Sequence, residues 1–126
     1  MFENGYIESS FSIQKNDQCI IVSITKNCIL HWILGIQLLL YGKSDSIVLH
    51  DVIASDKIKL CIKNGIGMIF LANINLRITQ NDLEALESLL LDYLTDHYFL
   101  GMHLDLECME IQTNICYDIT VQVTPS

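Results

Sequence analysis

No lysine or arginine follows Arg77: residues 78–126 hold nine acids and no base, whereas residues 1–77 hold all seven bases and six acids. The formal charge of −8 is therefore concentrated in the C-terminal part of the chain. Direct binding of nucleic acid is not expected, because phosphates are held by Lys and Arg. Charged residues of either sign are scarce, 17% against 51% hydrophobic, a balance that buries a core and argues against disorder. The N-terminus, Met1-Phe2-Glu3-Asn4-Gly5, lacks a basic stretch followed by an apolar one, so no export signal is expected. The longest apolar run, Cys28 to Tyr41, is interrupted by His31, Gly35 and Gln37. It falls short of the roughly 20 residues that span a bilayer, so a buried helix is expected and no membrane association. The five cysteines, Cys19, Cys28, Cys61, Cys108 and Cys116, are odd in number and form no CxxC. Reduced thiols in a cytoplasmic protein follow, most of them acting as small core hydrophobes. There is no internal repeat and no linker, and 126 residues suit a single domain, 1–126.

What is present reads as α+β: a mostly antiparallel sheet built from hairpins, with two main helices packed on it. Tyr6 to Gln14 and Gln18 to Thr25 are β-rich runs around the polar turn Lys15-Asn16-Asp17. Asn27 is placed to cap a helix in which Leu30, Ile33, Leu34, Leu38 and Tyr41 recur at helical spacing and Gly42 closes the end. Being apolar nearly all round, this helix should be sandwiched, with the Trp32 indole N–H finding an acceptor. Ser46 to Leu49 reads as a short strand. Ile58, Leu60 and Ile62 alternate, Asn64-Gly65 turns the chain, and Ile66 through Ile78 alternate again as one strand. A three-residue loop pairing Ile62 with Ile66 is expected there, since it puts both apolar rows on one face. Thr79-Gln80-Asn81-Asp82 has the form of a capping box and opens a helix to about His97. Leu83, Leu86, Leu90, Tyr93, Leu94 and His97 share one arc of it, Glu84, Ser88, Asp92 and Asp96 the far side, and Glu87 the apolar edge, as a rim or a paired residue. A last hairpin turns near Gln112-Thr113-Asn114. Met102, Leu104, Leu106, Cys108, Ile115, Tyr117, Ile119, Val121 and Val123 face the core, and His103, Asp105, Glu107, Cys116, Asp118, Thr120 and Gln122 face outward. A bulge at Cys108-Met109 would return Glu110 to the outside.

No residue set names a reaction. His103-x-Asp105-x-Glu107, with Asp118 across, carries metal-ligating types, but alternate strand residues lie about 7 Å apart, too far for His103 and Glu107 to share an ion. Cys28-x-x-His31 supplies only two ligands in apolar surroundings and reads as a core cysteine beside a hydrogen-bonded histidine. His50-Asp51 and Asp96-His97 are sequence neighbours, which do not face each other on a strand or helix. GxSxG, a glycine-rich phosphate loop and HExxH are absent. No catalytic residue, metal or cofactor is expected. The acidic C-terminal part stands out against this background. Surfaces usually mix both signs, and Asp92 and Asp96 lie where the helix dipole disfavours anions. Such a retained negative potential suits a basic partner. The surface that would meet it comprises Glu84, Asp92, Asp96, Asp105, Glu107, Glu110 and Asp118.

A small, acidic, cytosolic α+β chain without a catalytic motif, its carboxylates gathered on one helix and the terminal hairpin, resembles the immunity proteins of bacterial contact-dependent growth inhibition systems. The resemblance is architectural and compositional, covers the whole chain loosely and transfers no residue by motif. Nineteen isoleucines and eight asparagines against three alanines and one arginine also suit an AT-rich gene. The resemblance implies a chain that neutralises the toxic C-terminal domain delivered by a neighbouring cell, typically a basic nuclease; the chain itself is expected to be a monomer or weak dimer. Two other readings stand beside it: an acidic secretion chaperone for an effector, and a metal-dependent hydrolase built on His103, Asp105 and Glu107.

Overall fold

The computed structural model describes residues 6–51, 53, 56–95 and 103–124. In chain order the elements are β1 (Tyr6–Ser9), β2 (Phe11–Asn16), β3 (Cys19–Thr25), a 3-10 turn (Lys26–Cys28), α1 (Ile29–Leu40), β4 (Ser46–Asp51), β5 (Lys57–Lys63), β6 (Ile66–Leu71), β7 (Ile74–Ile78), α2 (Gln80–Leu94), β8 (His103–Met109) and β9 (Cys116–Thr124). The α+β class is as expected, but the hairpins build two mostly antiparallel sheets, not one. The first has order β1-β4-β5-β6-β7 and the second β2-β3-β9-β8. Each contains one parallel pair, β1 on β4 and β3 on β9. The split originates at Ser10, where a single β-rich run leaves the first sheet for the second. Thr25 secures that corner: its N–H donates to the Ser10 carbonyl at 3.1 Å and its hydroxyl to Ser10 Oγ at 3.1 Å. At the opposite edges a bridge between Leu76 and Glu110, with the Ile111 N–H on the Asn75 carbonyl at 3.1 Å, ties β7 to the end of β8. Both sheets therefore enclose one core.

The β5-β6-β7 unit departs from expectation in register. Lys63 pairs with Ile66 and Ile62 with Gly67, around a two-residue turn with Asn64 and Gly65 both at positive φ. That turn type matches strand twist and is what Asn-Gly encodes. It sends Gly67, Ile69 and Leu71 inward and leaves Ile66 64% and Met68 and Phe70 37% exposed. The run is apolar on both faces, so alternation could not choose between them and the turn chemistry did. A second tight turn, at Ala72-Asn73 with φ of 49° and 63°, divides the expected long strand and returns β7, whose Ile74, Leu76 and Ile78 are buried. Gly67 is the residue that lets β6 and β7 approach. A Cβ there would lie 2.5 Å from the Ile78 carbonyl oxygen and 3.0 Å from its Cγ1. Backbone cannot yield as a side chain does, so Gly67→Ala should lower stability by about 1–3 kcal/mol, measured as a shift in the urea midpoint.

The helices pack against each other. α1 follows the 3-10 turn without the expected Asn27 cap and ends in a Schellman motif, with Gly42 at φ 70° and N–H groups of Gly42 and Lys43 on the carbonyls of Leu39 and Leu38. Its buried stripe is Ile29, Trp32, Ile33, Ile36 and Leu39, while Leu30 and Tyr41 are 50% and 69% exposed. An almost uniformly apolar helix has no phase of its own. Here the packing partner set it, Gly35 seating the helix against the Ile7 and Ile47 methyls. α2 carries both arms of its capping box, Thr79 N–H to Asp82 Oδ2 at 2.8 Å and Asp82 N–H to Thr79 Oγ1 at 3.1 Å. It buries Leu83, Leu86, Leu89, Leu90 and Tyr93 but exposes Leu94. His97 lies outside the described residues. Among the described residues two buried polar atoms lack hydrogen-bond partners, Glu87 Oε2 and His31 Nδ1, so Glu87 is not paired through that oxygen and the expected bond to His31 is not made at that nitrogen.

Candidate functional site

The register of the second sheet fixes which side chains share its outward face. Three cross-strand rows run across β2, β3, β9 and β8: Ser12, Ser23, Gln122 and His103; Gln14, Ile21, Thr120 and Asp105; Asn16, Cys19, Asp118 and Glu107. No lysine or arginine occurs in these rows. Lys15, of inward parity, reaches back over the Tyr117 ring, its Nζ 5.9 Å from the centroid.

Asp105 is the organised member. Its Oδ1 accepts from Thr120 Oγ1 at 2.7 Å, and its Oδ2 lies 3.2 Å from His103 Nε2. Glu107 and Asp118 are directly opposed across β8 and β9, and both are exposed. Like charges directly opposite destabilise a strand pair by roughly 0.2–1 kcal/mol. An open depression is lined by Asp105, Leu106, Glu107 and Asp118. At its rim Glu107 also shares a second depression with Asp82 and Arg77.

The structure unites only part of the expected surface. Asp105, Glu107 and Asp118 share one face. Glu84 and Asp92 ride on α2, which packs through its opposite side on the inner face of the same sheet, with Leu83 and Leu86 against Leu106, Ile119 and Val121. The two carboxylate groups thus sit on different elements, with Asp82 at the start of α2 meeting Glu107 in the second depression at the β8 edge. Asp96 lies outside the described residues. Glu110 also departs from its expected outward place. No bulge interrupts β8, which pairs through Met109 with Cys116, so Met109 takes the outward place and half-buried Glu110 bridges to Leu76 and accepts the Thr113 hydroxyl. Ile115, expected inside, is 40% exposed.

Asp17 is an addition that the sequence did not suggest. It holds positive φ in the β2-β3 turn, and the adjacent Gln18 carbonyl accepts the Asp118 N–H at 2.8 Å, which puts a fourth acid at the end of the carboxylate row. The parallel pairing of β3 with β9 joins segments about a hundred residues apart and leaves no local signal.

Among the described residues no three His, Cys, Asp or Glu side chains are arranged to hold a metal ion. No described helix is long and apolar enough to cross a membrane. All five cysteines are unpaired, and only Cys108 is fully buried, so most are not core residues as expected. Burial, reinforced by the Asp82 charge, pushes the Cys108 thiol from 9.0 up to about 12. Above pH 9 the unfolded chain would release a proton that the folded chain keeps, so this thiol's contribution to stability declines as pH rises from 9.0 toward 12. At neutral pH, exposed Cys19 and Cys116 should react with a disulfide reagent in the fast phase, and Cys108 only on unfolding. The Cys108→Ala variant should keep the fast amplitude intact.

Compared with protein-family models, curated proteins and solved structures, the chain matches none.

Proposed function

We propose that the chain is an inhibitor of the immunity-protein type, which binds and neutralises a basic toxin domain through the outward face of β2-β3-β9-β8. The observation that carries this reading is the opposed pair Glu107 and Asp118, with Asp105 one row away and no base in the rows between. A fold keeps such repulsion at small cost, and a cationic partner converts it into attraction. The toxin class that fits best is a nuclease, since an active site that holds phosphates is basic. Carboxylates laid over it take the positions of phosphates and exclude substrate without chemistry. The face has three exposed carboxylates and few apolar groups, so fast, salt-sensitive association is the expected signature.

The test is to sequence the neighbouring reading frames for the C-terminal domain of a secreted toxin and to co-express any such domain with this chain. Growth should be restored, the two should purify as a stable complex, and the association rate should fall steeply between low and physiological salt. A stable complex unaffected by neutralising Asp105, Glu107 and Asp118 would overturn the assigned surface. Survival without any complex would overturn direct inhibition.

A further inference from the structure

The outward face of the first sheet has the opposite character. Its cross-strand rows place Val48 beside Lys59, Phe70 and Asn75; Ser46 beside Cys61, Met68 and Arg77; His50 beside Lys57; and Lys63 beside Ile66. Four of the chain's seven bases, Lys57, Lys59, Lys63 and Arg77, thus share this face, and Glu8 at the β1 edge is the acid in these rows. Between them stand Ile66, Met68 and Phe70, the exposed apolar strip of β6. An apolar strip bordered by charge has the anatomy of an interface.

We infer that this basic-apolar face docks on the acidic face of a second copy of the same chain, so that the protein associates head to tail. The argument is charge complementarity within one molecule. Lys59 and Lys63 on one sheet answer Asp105, Glu107 and Asp118 on the other, both faces point away from the shared core, and Arg77 stands at the border, lining one depression with Glu107 of its own chain. Two basic faces brought together would repel, which disfavours the symmetric dimer. Nucleic acid and anionic membranes meet the overall charge of −8 at long range. A sheet face of four strands at about 4.8 Å spacing is small for a permanent interface, so the assembly is weak and concentration-dependent. Being head to tail, it leaves one free face of each kind at its ends and does not close as a twofold dimer does. The inference concerns the chain alone and does not depend on the nature of its external partner. If that partner uses the acidic face as proposed, self-association competes with it.

Two variants test this. Asp105→Asn/Glu107→Gln/Asp118→Asn removes the acidic face, and Lys59→Gln/Lys63→Gln/Arg77→Gln removes the basic one. All six positions are exposed, and circular dichroism verifies that each variant folds. In sedimentation equilibrium at low salt, the wild-type mean mass should rise above 14.3 kDa with concentration and return to it near 1 M salt, where the Debye length shrinks to about 3 Å. Each variant alone should stay at the monomer mass. Their equimolar mixture should reach the mass of two chains and no more, because the pair retains one intact face of each sign. A wild type that stays monomeric throughout would overturn the inference, as would association of the basic-face variant alone. Association strengthened by salt would indicate apolar face-to-face pairing and overturn it too.

Discussion

Neutralising Asp105, Glu107 and Asp118 together should sharply weaken partner neutralisation while leaving the fold intact or slightly more stable. Asn and Gln keep shape and remove charge. After Asp105→Asn the new amide oxygen can still accept the Thr120 hydroxyl, so the local hydrogen bond of 2.7 Å is preserved. Glu107→Gln and Asp118→Asn remove a directly opposed like-charge pair, which should return roughly 0.2–1 kcal/mol to the folded state. Binding moves the other way. A carboxylate desolvated against an Arg or Lys costs about 2–5 kcal/mol when lost, whereas one left at the rim alters mainly the association rate and its salt dependence. Surface plasmon resonance at several salt concentrations separates the two classes, because a desolvated contact appears in the dissociation rate.

The control follows from the topology. Asp17 is unsuitable, since the β2-β3 turn places it beside the carboxylate row. Glu8, Asp45 and Glu84 are exposed and lie off that row, so their neutralisation should leave binding unchanged. Glu84 is the informative member, because the acidity of residues 78–126 nominates it and it rides on α2, outside the strand rows that hold Asp105. If Glu8, Asp45 and Glu84 carry the effect and the hairpin trio carries none, the acidic face of the second sheet is merely solvated.

Sequence periodicity reached the hairpin strands and the second helix because each has a distinct polar side. β8 alternates from His103 to Cys108, and its register with β9 sets Glu107 against Asp118 as the alternation implies. α2 carries a capping box and one apolar arc. The same tool failed where both sides are apolar. In α1 and β6 every phase looked equally buried, and the choice was made by Gly35 fitting against Ile7 and Ile47 and by the Asn64-Gly65 turn. Long-range pairing was illegible for a different reason. Nothing near Asp118 announces that Cys19 lies beside it, or that Ser10 divides one run between two sheets. The acidic surface was legible as composition, and only the topology could divide it into an outer face and a helix side.

Trp32→Ala should be the most destabilising single change considered. The indole is 2% exposed, meets Phe11 edge to face at 5.6 Å, and donates its N–H to Ser9 Oγ at 2.9 Å. Ser9 ends β1 and Phe11 begins β2, so one side chain from α1 braces the corner at which the chain passes between sheets. Removing it forfeits the buried area, opens a cavity and leaves the buried Ser9 hydroxyl without its donor, for about 3–5 kcal/mol in all. Against a total stability of about 5–15 kcal/mol that is a large fraction, and urea unfolding followed by circular dichroism should show it as a lowered midpoint at similar slope. Trp32→Phe separates the contributions. It retains most of the aromatic packing and loses the N–H, so its cost should be smaller, and adding Ser9→Ala should then cost less than Ser9→Ala does in the parent. Additive effects of the two substitutions would mean that the 2.9 Å hydrogen bond contributes nothing, leaving ring packing alone to hold the corner.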